Sequence, residues 1–120
     1  VIVDDDNYFA SIVSKMFRQR GWKPVLCFKM EDAFHLVEKL GVQLVITDIF
    51  MPGMGGIEGI RLLREKFPET PIIAMSGGWD KMPSGKAVGA AVKIGADSGL
   101  NKPISADELD AVLDMLGVAV

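Results

Sequence analysis

The sequence predicts an α/β fold built on a doubly wound sheet of parallel strands, and three observations indicate it. Short apolar, often β-branched segments alternate five times with segments whose apolar residues recur at positions i, i+3, i+4 and i+7. This is the pattern of strands alternating with amphipathic helices. The strand segments are apolar at successive residues, as expected of strands buried on both faces. Strands that are each followed by a helix form a parallel sheet, because every helix returns the chain to the same edge.

The first two predicted strands lie near the N-terminus, at 1–3 and 24–28. Apolar residues at helical spacing follow each of them, so two amphipathic helices are predicted. Gly21 and Gly41 are expected to end these helices, because glycine readily adopts the left-handed conformation of a helix C-terminus. The apolar anchors are Phe9, Ile12, Val13, Met16 and Phe17 in the first helix, and Ala33, Leu36, Val37 and Leu40 in the second.

The other three strands are predicted at 44–47, 72–75 and 98–101. The segment 51–56 is expected to be a loop, because it contains one proline and three glycines. The fourth helix, 87–94, is expected to be weak because Gly89 interrupts it. Ser105 and Glu108 have the spacing of a capping box and open the last helix. The anchors of the third and last helices are Ile57, Ile60, Leu63, Phe67, Leu109, Val112, Leu113 and Leu116.

Length and composition favour a single globular domain. The chain has 120 residues, of which 49% are hydrophobic and 24% charged, as in ordinary folded domains. Its net charge of −3 gives no attraction for nucleic acid or an anionic membrane, so we expect direct binding to neither. No apolar run approaches the ~20 residues of a membrane-spanning helix.

Two features of the chain bear on its context in the cell. The single cysteine, Cys27, cannot form an internal disulfide, which fits a reducing cytoplasm. The chain begins at Val1, inside an apolar run and without an initiator methionine. We therefore expect residues 1–120 to be one domain of a longer cytoplasmic protein.

Polar residues follow the predicted strands at the points where the strands end. Asp4 and Asp5 follow the first strand, Asp48 the third and Ser76 the fourth, and Lys102 comes directly after the fifth. In a doubly wound sheet the carboxyl ends of the strands share one edge, and ligands bind outside that edge. The sequence therefore predicts that these five side chains converge on one site.

The residue types at this edge predict phosphoryl chemistry with a metal ion. Three carboxylates close together repel one another and need a cation. Oxygen ligands suit Mg²⁺, which keeps several of its waters. A carboxylate beside such an ion can attack phosphorus and become an acyl phosphate, and the charge that develops on the phosphoryl oxygens must then be neutralised. Lys102, Ser76 and Mg²⁺ are the candidates for that task.

In order and spacing these segments resemble the receiver domains of bacterial two-component response regulators, including the chemotaxis-type receivers. The resemblance covers essentially the whole chain, and its strength lies in the combination, since any one motif is weak. The matching segments are Asp4-Asp5, Thr47-Asp48, Met51-Pro52-Gly53-Met54 with Gly56, Ser76-Gly77 and Lys102-Pro103. The resemblance implies a flavodoxin-like (βα)5 fold with the strand order 2-1-3-4-5.

The resemblance also implies a role for each site residue. The metal ligands would be Asp5 and Asp48 directly, Asp4 mainly through water, and the backbone carbonyl of Phe50. Asp48 would also be the phosphoacceptor. The other two catalytic residues would be Ser76 and Lys102. Ser76 would hydrogen-bond the phosphoryl group. Lys102 would pair with Asp48 before phosphorylation and with phosphate afterwards, and a cis peptide bond before Pro103 would aim the lysine.

Three positions depart from the pattern of the family. The aromatic residue usual three positions before the lysine is Gly99, and the acid often found before the glycine of the phosphorylation loop is Gly55. The loop from Gly77 to Gly85 is longer than usual and contains Trp79. We hypothesise that this loop, and not the rotation of an aromatic side chain, responds to phosphate.

Several residues also have a plainer structural interpretation. Asp6 is expected to be a helix-start acid, and His35 a surface helix residue without a metal partner. Cys27 is expected to be a strand residue and not a reactive thiol. For Phe50 two interpretations stay open: a shield of the acyl phosphate against water, or an exposed apolar residue at a partner surface.

The predicted function is that of a phosphorelay receiver that acts as a signalling switch and not as an enzyme with a separate substrate. The expected partners are a histidine kinase or histidine phosphotransfer protein and an output domain or effector, with possible homodimer formation on phosphorylation. One alternative is a degenerate receiver that acts as a phosphorylation-independent interaction module. Another is a Mg²⁺-dependent aspartyl phosphatase or phosphotransferase, although Phe50 stands where such enzymes usually place a second acid. A third alternative is flavin or nucleotide binding on the same fold. It has little support, because the sequence has no glycine-rich phosphate loop after the first strand.

Overall fold

Five strands and five helices alternate along the chain. The computed structural model describes residues 1–51, 54–77 and 84–118, with residues 84–88 described by backbone alone. The strands are β1 (Ile2–Val3), β2 (Leu26–Cys27), β3 (Val45–Asp48), β4 (Ile72–Ser76) and β5 (Ser98–Asn101). The helices are α1 (Asn7–Gln19), α2 (Met30–Leu40), α3 (Gly56–Lys66), α4 (Ser84–Ile94) and α5 (Ala106–Leu116).

The strands form a single parallel sheet in the order β2-β1-β3-β4-β5. This confirms the predicted fold class and strand order. The order reverses between β1 and β3, so the adjacent carboxyl ends of these two strands form the crevice in which such sheets bind ligands. Asp48 stands beside Met75 of β4, and the next β4 residue, Ser76, stands beside Asn101. The register therefore places the polar residues at the ends of these strands side by side along the carboxyl edge of the sheet.

Two apolar layers cover the sheet, and neighbouring strand residues point into opposite layers as the pleat requires. Val45 belongs to one layer and Ile46 to the other. The first layer joins the sheet to α2, α3 and α4, and its buried members include Val3, Met30, Val37, Ile60, Leu63, Ile72 and Ala91. The second joins it to α1 and α5, and its buried members include Ile2, Val13, Phe17, Ile73, Met75, Leu109 and Leu113.

Three helix ends have the residues and conformations that the sequence predicts for them. The Asp6 side chain caps α1 by accepting a hydrogen bond from the backbone N–H of Phe9 at 3.0 Å, which confirms its prediction as a helix-start acid. Gly41 adopts the left-handed conformation after α2, with φ of 60°. Ser105 caps α5 by accepting a bond from the Glu108 N–H at 3.1 Å. These bonds satisfy backbone groups that a helix end leaves unpaired.

Some predicted details were wrong. Ile12 and Leu40 are exposed, because the apolar stripe of each helix is wider than the face that contacts the sheet; in α1 the buried positions are Ala10, Val13, Ser14 and Phe17. The second strand has two residues instead of five, since as an edge strand it pairs with β1 alone. The fourth helix begins at Ser84 and continues through Gly89 without interruption.

The structure contains no helix, among the residues it describes, with the length and apolar character needed to cross a membrane.

Gly56 packs against the backbone at the end of β3, and this contact generates a prediction. A Cβ atom at Gly56 would overlap the carbonyl oxygen of Asp48 and the backbone of Ile49. We expect Gly56→Ala to lower the free energy of unfolding by about 1–3 kcal/mol, because the β3 backbone must move to accept the methyl group. Urea unfolding followed by circular dichroism measures the change.

Gly55 provides the matched control, because a Cβ atom there meets nothing within 4 Å. Gly55→Ala is expected to cost less than about 1 kcal/mol, the usual range for a helix N-cap. Equal losses in the two variants would contradict a specific role for the close approach of Gly56 to β3.

Candidate functional site

Three carboxylates lie together at the carboxyl edge of the sheet. Asp4 and Asp5 follow β1, and Asp48 is the last residue of the neighbouring strand β3. One carboxylate oxygen from each residue lies within 4.8 Å of the others. Asp4 is 0% exposed and Asp48 6% exposed, whereas Asp5 is open to solvent. The acids thus form a cluster that is buried on one side and accessible on the other.

Hydrogen bonds on two sides hold Asp4 in position. Its backbone N–H donates to the carbonyl oxygen of Cys27 on β2 at 3.0 Å, which continues the pairing of β1 with β2. Its Oδ1 atom accepts a bond from the backbone N–H of Asp6 at 2.9 Å. One oxygen of Asp4 is therefore engaged in the turn into α1, and Oδ2 faces the site.

Lys102 provides the positive charge of the site. Its Nζ atom donates to Asp4 Oδ2 at 2.9 Å and lies 3.2 Å from Asp48 Oδ1. The predicted pairing with Asp48 is present, but the same ammonium also binds Asp4, and more closely. The peptide bond between Lys102 and Pro103 is cis, as the resemblance implied.

Burial dominates the electrostatics of Asp48. Loss of solvation raises its pKa from 3.8 to about 6. The Lys102 charge acts in the opposite direction, and the charges of Asp4 and Asp5 add to the increase. Burial alone would lower the pKa of Lys102, but its bond to Asp4 and the charges of Asp48 and Asp4 raise it overall. The lysine therefore stays protonated beside the acids.

Ser76 and Lys102 are connected through the backbone. Ser76 ends β4 and is fully buried, and its carbonyl oxygen accepts a bond from the Lys102 N–H at 2.8 Å. This bond extends the pairing of β4 with β5 beyond Asn101. The hydroxyl residue and the lysine predicted for the site thus lie at the ends of the adjacent strands β4 and β5.

Phe50 is half-buried and packs against the core layer that contains Val45 and Ile60. Phe50 is thus less exposed than one of its two interpretations assumed, and both roles, a shield of the acyl phosphate and a residue at a partner surface, stay predictions. His35 is exposed on α2, and Cys27 is buried in β2, as predicted.

Some predictions fall on parts of the chain outside the described residues. These are Pro52 and Gly53 of the segment after Asp48, and Trp79 with most of the loop between Gly77 and Gly85. The hypothesis that this loop responds to phosphate stays a prediction. Gly99 is described; it lies in β5 beside Ala74 of β4.

Sequence reasoning missed one contact of the site. The Nζ atom of Lys102 lies 4.2 Å from the centre of the Phe9 ring. Phe9 was predicted only as an apolar anchor of the first helix. Its spacing within that helix gave no signal of the contact, because the partner lies after the fifth strand and only the fold brings the two together.

The donor set fits a hard divalent cation. Asp4, Asp5 and Asp48 form the only group of three or more potential metal ligands in the described ranges. All of its donors are carboxylate oxygens, which suit Mg²⁺ better than zinc. The exposed side at Asp5 leaves room for the waters that Mg²⁺ retains.

Comparison with known proteins identifies the family. The model of the response regulator receiver domain matches residues 1–114. The chain belongs to this family. A receiver domain has the fold found here, and the predicted family membership is confirmed.

Solved receiver structures resemble the whole domain. The receiver domain of Francisella response regulator 1452 is 27% identical, with a TM-score of 0.81 over 96% of this chain and 92% of that one. A putative response regulator from Chloroflexus aurantiacus is 25% identical, with a TM-score of 0.85 over 98% and 95%. The BeF3-activated DrrB receiver domain is also 25% identical, with a TM-score of 0.79 over 96% and 92%.

The raised pKa of Asp48 predicts how the stability of this receiver depends on pH. Between the unfolded value near 3.8 and the folded value of about 6, the folded state binds more protons than the unfolded state. The contribution of Asp48 to stability therefore falls as the pH rises through this window. Asp48→Asn removes the buried charge, while Lys102 keeps its bond to Asp4.

In EDTA at pH 8 we expect Asp48→Asn to increase the free energy of unfolding, because it removes a charge that is costly to bury. The gain should be only about 1 kcal/mol, because water on the open side partly screens the site. At pH 5 the gain should be much smaller, because the wild-type carboxyl is then largely protonated. Urea unfolding of both proteins at the two pH values measures the difference. A gain that is larger at pH 5 than at pH 8 would have the wrong sign for a raised pKa.

Proposed function

We propose that this receiver domain accepts a phosphoryl group on Asp48 in a Mg²⁺-dependent reaction. The observation that supports this most directly is the position of the Lys102 ammonium, 3.2 Å from Asp48 Oδ1 and 2.9 Å from Asp4 Oδ2. A cation there lies beside the atom that would attack phosphorus. Negative charge on the transferred group would be neutralised at that point.

The proposed reaction transfers phosphate from a phosphohistidine. An oxygen of the Asp48 carboxylate attacks phosphorus, the new O–P bond forms and the N–P bond breaks. The imidazole leaves with the bonding electron pair and takes up a proton from solvent. Lys102 stabilises the charge on the phosphoryl oxygens, and Ser76 is proposed to hydrogen-bond one of them. In a separate step, water attacks phosphorus, the O–P bond to Asp48 breaks, and the Asp48 carboxylate and inorganic phosphate are released.

The metal would be held by Asp5 and Asp48 directly, by Asp4 mainly through water, and by the backbone carbonyl of Phe50. Bound Mg²⁺ supplies a second centre of positive charge for the phosphoryl oxygens. Support for this assignment comes from the carboxylate cluster and from the exposure of Asp5. The chain's own contribution is to hold the three acids close enough to share one ion.

We further propose that the domain is a cytoplasmic switch that phosphorylates and dephosphorylates only itself. Its donors would be a histidine kinase or a phosphotransfer protein, and its output a linked domain, an effector or a homodimer. A receiver of 25% identity, DrrB, has been solved in a BeF3-activated form, which supports an activated state for a domain of this fold. The new charge at Asp48 would shift a pre-existing equilibrium of conformations.

The alternative of an aspartyl phosphatase has less support. The second acid of such an enzyme would stand two residues after the nucleophile, where this chain has Phe50, packed against the core. The alternative of a phosphorylation-independent module must account for the retained acids, serine and lysine. Gly99 is the feature that favours that alternative.

Intact-mass measurement tests the proposal. The domain is incubated with acetyl phosphate or phosphoramidate and Mg²⁺, and we expect one phosphoryl adduct. EDTA should prevent the adduct, and Asp48→Asn should abolish it because the attacking oxygen is replaced by an amide. Asp114→Asn is the matched control, since Asp114 is an exposed acid of α5; it should form the adduct at the wild-type rate.

An adduct that persists in Asp48→Asn would place the reaction elsewhere. Absence of any adduct, with Mg²⁺ binding confirmed by calorimetry, would favour the interaction module or strict dependence on a kinase. Steady hydrolysis of a small phosphate ester would instead favour the phosphatase.

A further inference from the structure

The Lys102 ammonium is held from two directions. Asp4 and Asp48 lie on one side of it, at 2.9 and 3.2 Å. The Phe9 ring lies on another, with its centre 4.2 Å from Nζ. An aromatic face attracts a cation through its quadrupole, and more strongly where water is excluded. The lysine side chain is 16% exposed, so the contact is largely shielded from water.

The ring is fixed to the segment that contains the acids. Asp4 Oδ1 accepts from the Asp6 N–H at 2.9 Å, and Asp6 Oδ1 accepts from the Phe9 N–H at 3.0 Å. Two consecutive side-chain-to-backbone bonds thus link Asp4 to the backbone of Phe9. The half-buried ring also packs against the core layer of α1 and α5. Its position relative to the carboxylates is therefore set by the turn into α1.

An aromatic ring attracts the ammonium without forming an ion pair. A carboxylate at this position would neutralise Lys102 and would compete with a phosphoryl group for it. An aliphatic side chain would give no electrostatic attraction. A ring at this position would still attract the ammonium after its carboxylate partners change, and it would leave the N–H groups of Lys102 available to new oxygens.

We propose that Phe9 is a positioning residue that holds the Lys102 ammonium beside Asp48 for phosphoryl transfer. The inference rests on the proposed function of Asp48 and deepens it. In this assignment Phe9 acts through Lys102 and has no direct role toward the metal or the phosphoryl group.

The first test compares phosphorylation rates, with acetyl phosphate and Mg²⁺, of wild type, Phe9→Leu and Phe9→Tyr. Leucine keeps an apolar side chain but has no aromatic face, so we expect the rate to fall about two- to tenfold. Tyrosine should restore most of the rate. Tyr8→Leu is the matched control on the same helix, because Tyr8 is 78% exposed; it should leave the rate unchanged. A wild-type rate in Phe9→Leu would overturn the inference.

The second test needs neither metal nor phosphate. Unfolding in urea with EDTA is measured for wild type, Phe9→Leu, Lys102→Met and the double variant. A cation–ring contact requires that Phe9→Leu change the unfolding constant about two- to tenfold more when Lys102 is present than when it is methionine. Equal changes in both backgrounds would show that Phe9 only packs in the core, and would refute the inference.

A proton NMR spectrum gives a direct structural readout. Protons above an aromatic face shift upfield, so the Hε protons of Lys102 should move downfield in Phe9→Leu and return in Phe9→Tyr. If wild type forms no adduct with a small donor or with a histidine kinase while these shifts are present, the proposed function fails and the contact stands. If wild type forms the adduct while the shifts are absent, the positioning role fails alone.

Discussion

The charge balance at the carboxyl edge of the sheet is the constraint on which the site depends. Asp4 and Asp48 are almost wholly buried beside each other, and buried carboxylates are costly unless a cation pairs with them. Within the described part of the chain, Lys102 alone forms ion pairs with them. It follows β5, which is separated from β3 by β4. A long, flexible side chain is therefore needed to reach both acids, and the backbone bond from Lys102 to Ser76 fixes its starting point.

The backbone around the acids leaves them little freedom. Asp4 is fixed by Cys27 on one side and by the turn at Asp6 on the other. The Asp48 backbone is packed by Gly56, whose lack of a side chain allows α3 to begin directly against β3. Groups held in this way need little reorganisation when charge develops beside them, which is the main advantage of a preorganised polar site. The same packing explains why a glycine at the start of a helix is required here in spite of its low helix propensity.

The succession of strands and helices along the chain and the identity of the clustered acids could be predicted, because both depend on local signals. The order of the strands in the sheet depends on long-range pairing, and it was predicted from the resemblance to receiver domains. Apolar runs mark the strands, and Asp48 and Lys102 are recognisable because they follow such runs directly. The sharing of Lys102 between Asp4 and Asp48 could not be predicted, since it depends on side-chain geometry between three strands. The contact with Phe9 was hidden for the same reason, because an aromatic residue at helical spacing has the same sequence pattern whether it covers the core or a cation. The exposure of Ile12 shows the converse, because an apolar residue at helical spacing is not always buried.

One ammonium shared by two acids also couples strands that are not neighbours. In the proposed function, phosphorylation increases the negative charge at Asp48, and the attraction of Lys102 is redistributed between Asp48 and Asp4. Asp4 is hydrogen-bonded to the start of α1, and Lys102 to the end of β4. A shift of the ammonium would therefore change the forces on both elements without any rotating side chain at Gly99, which has none to rotate. In the proposed function, redistribution of charge through Lys102 would therefore allow switching without an aromatic rotamer in β5.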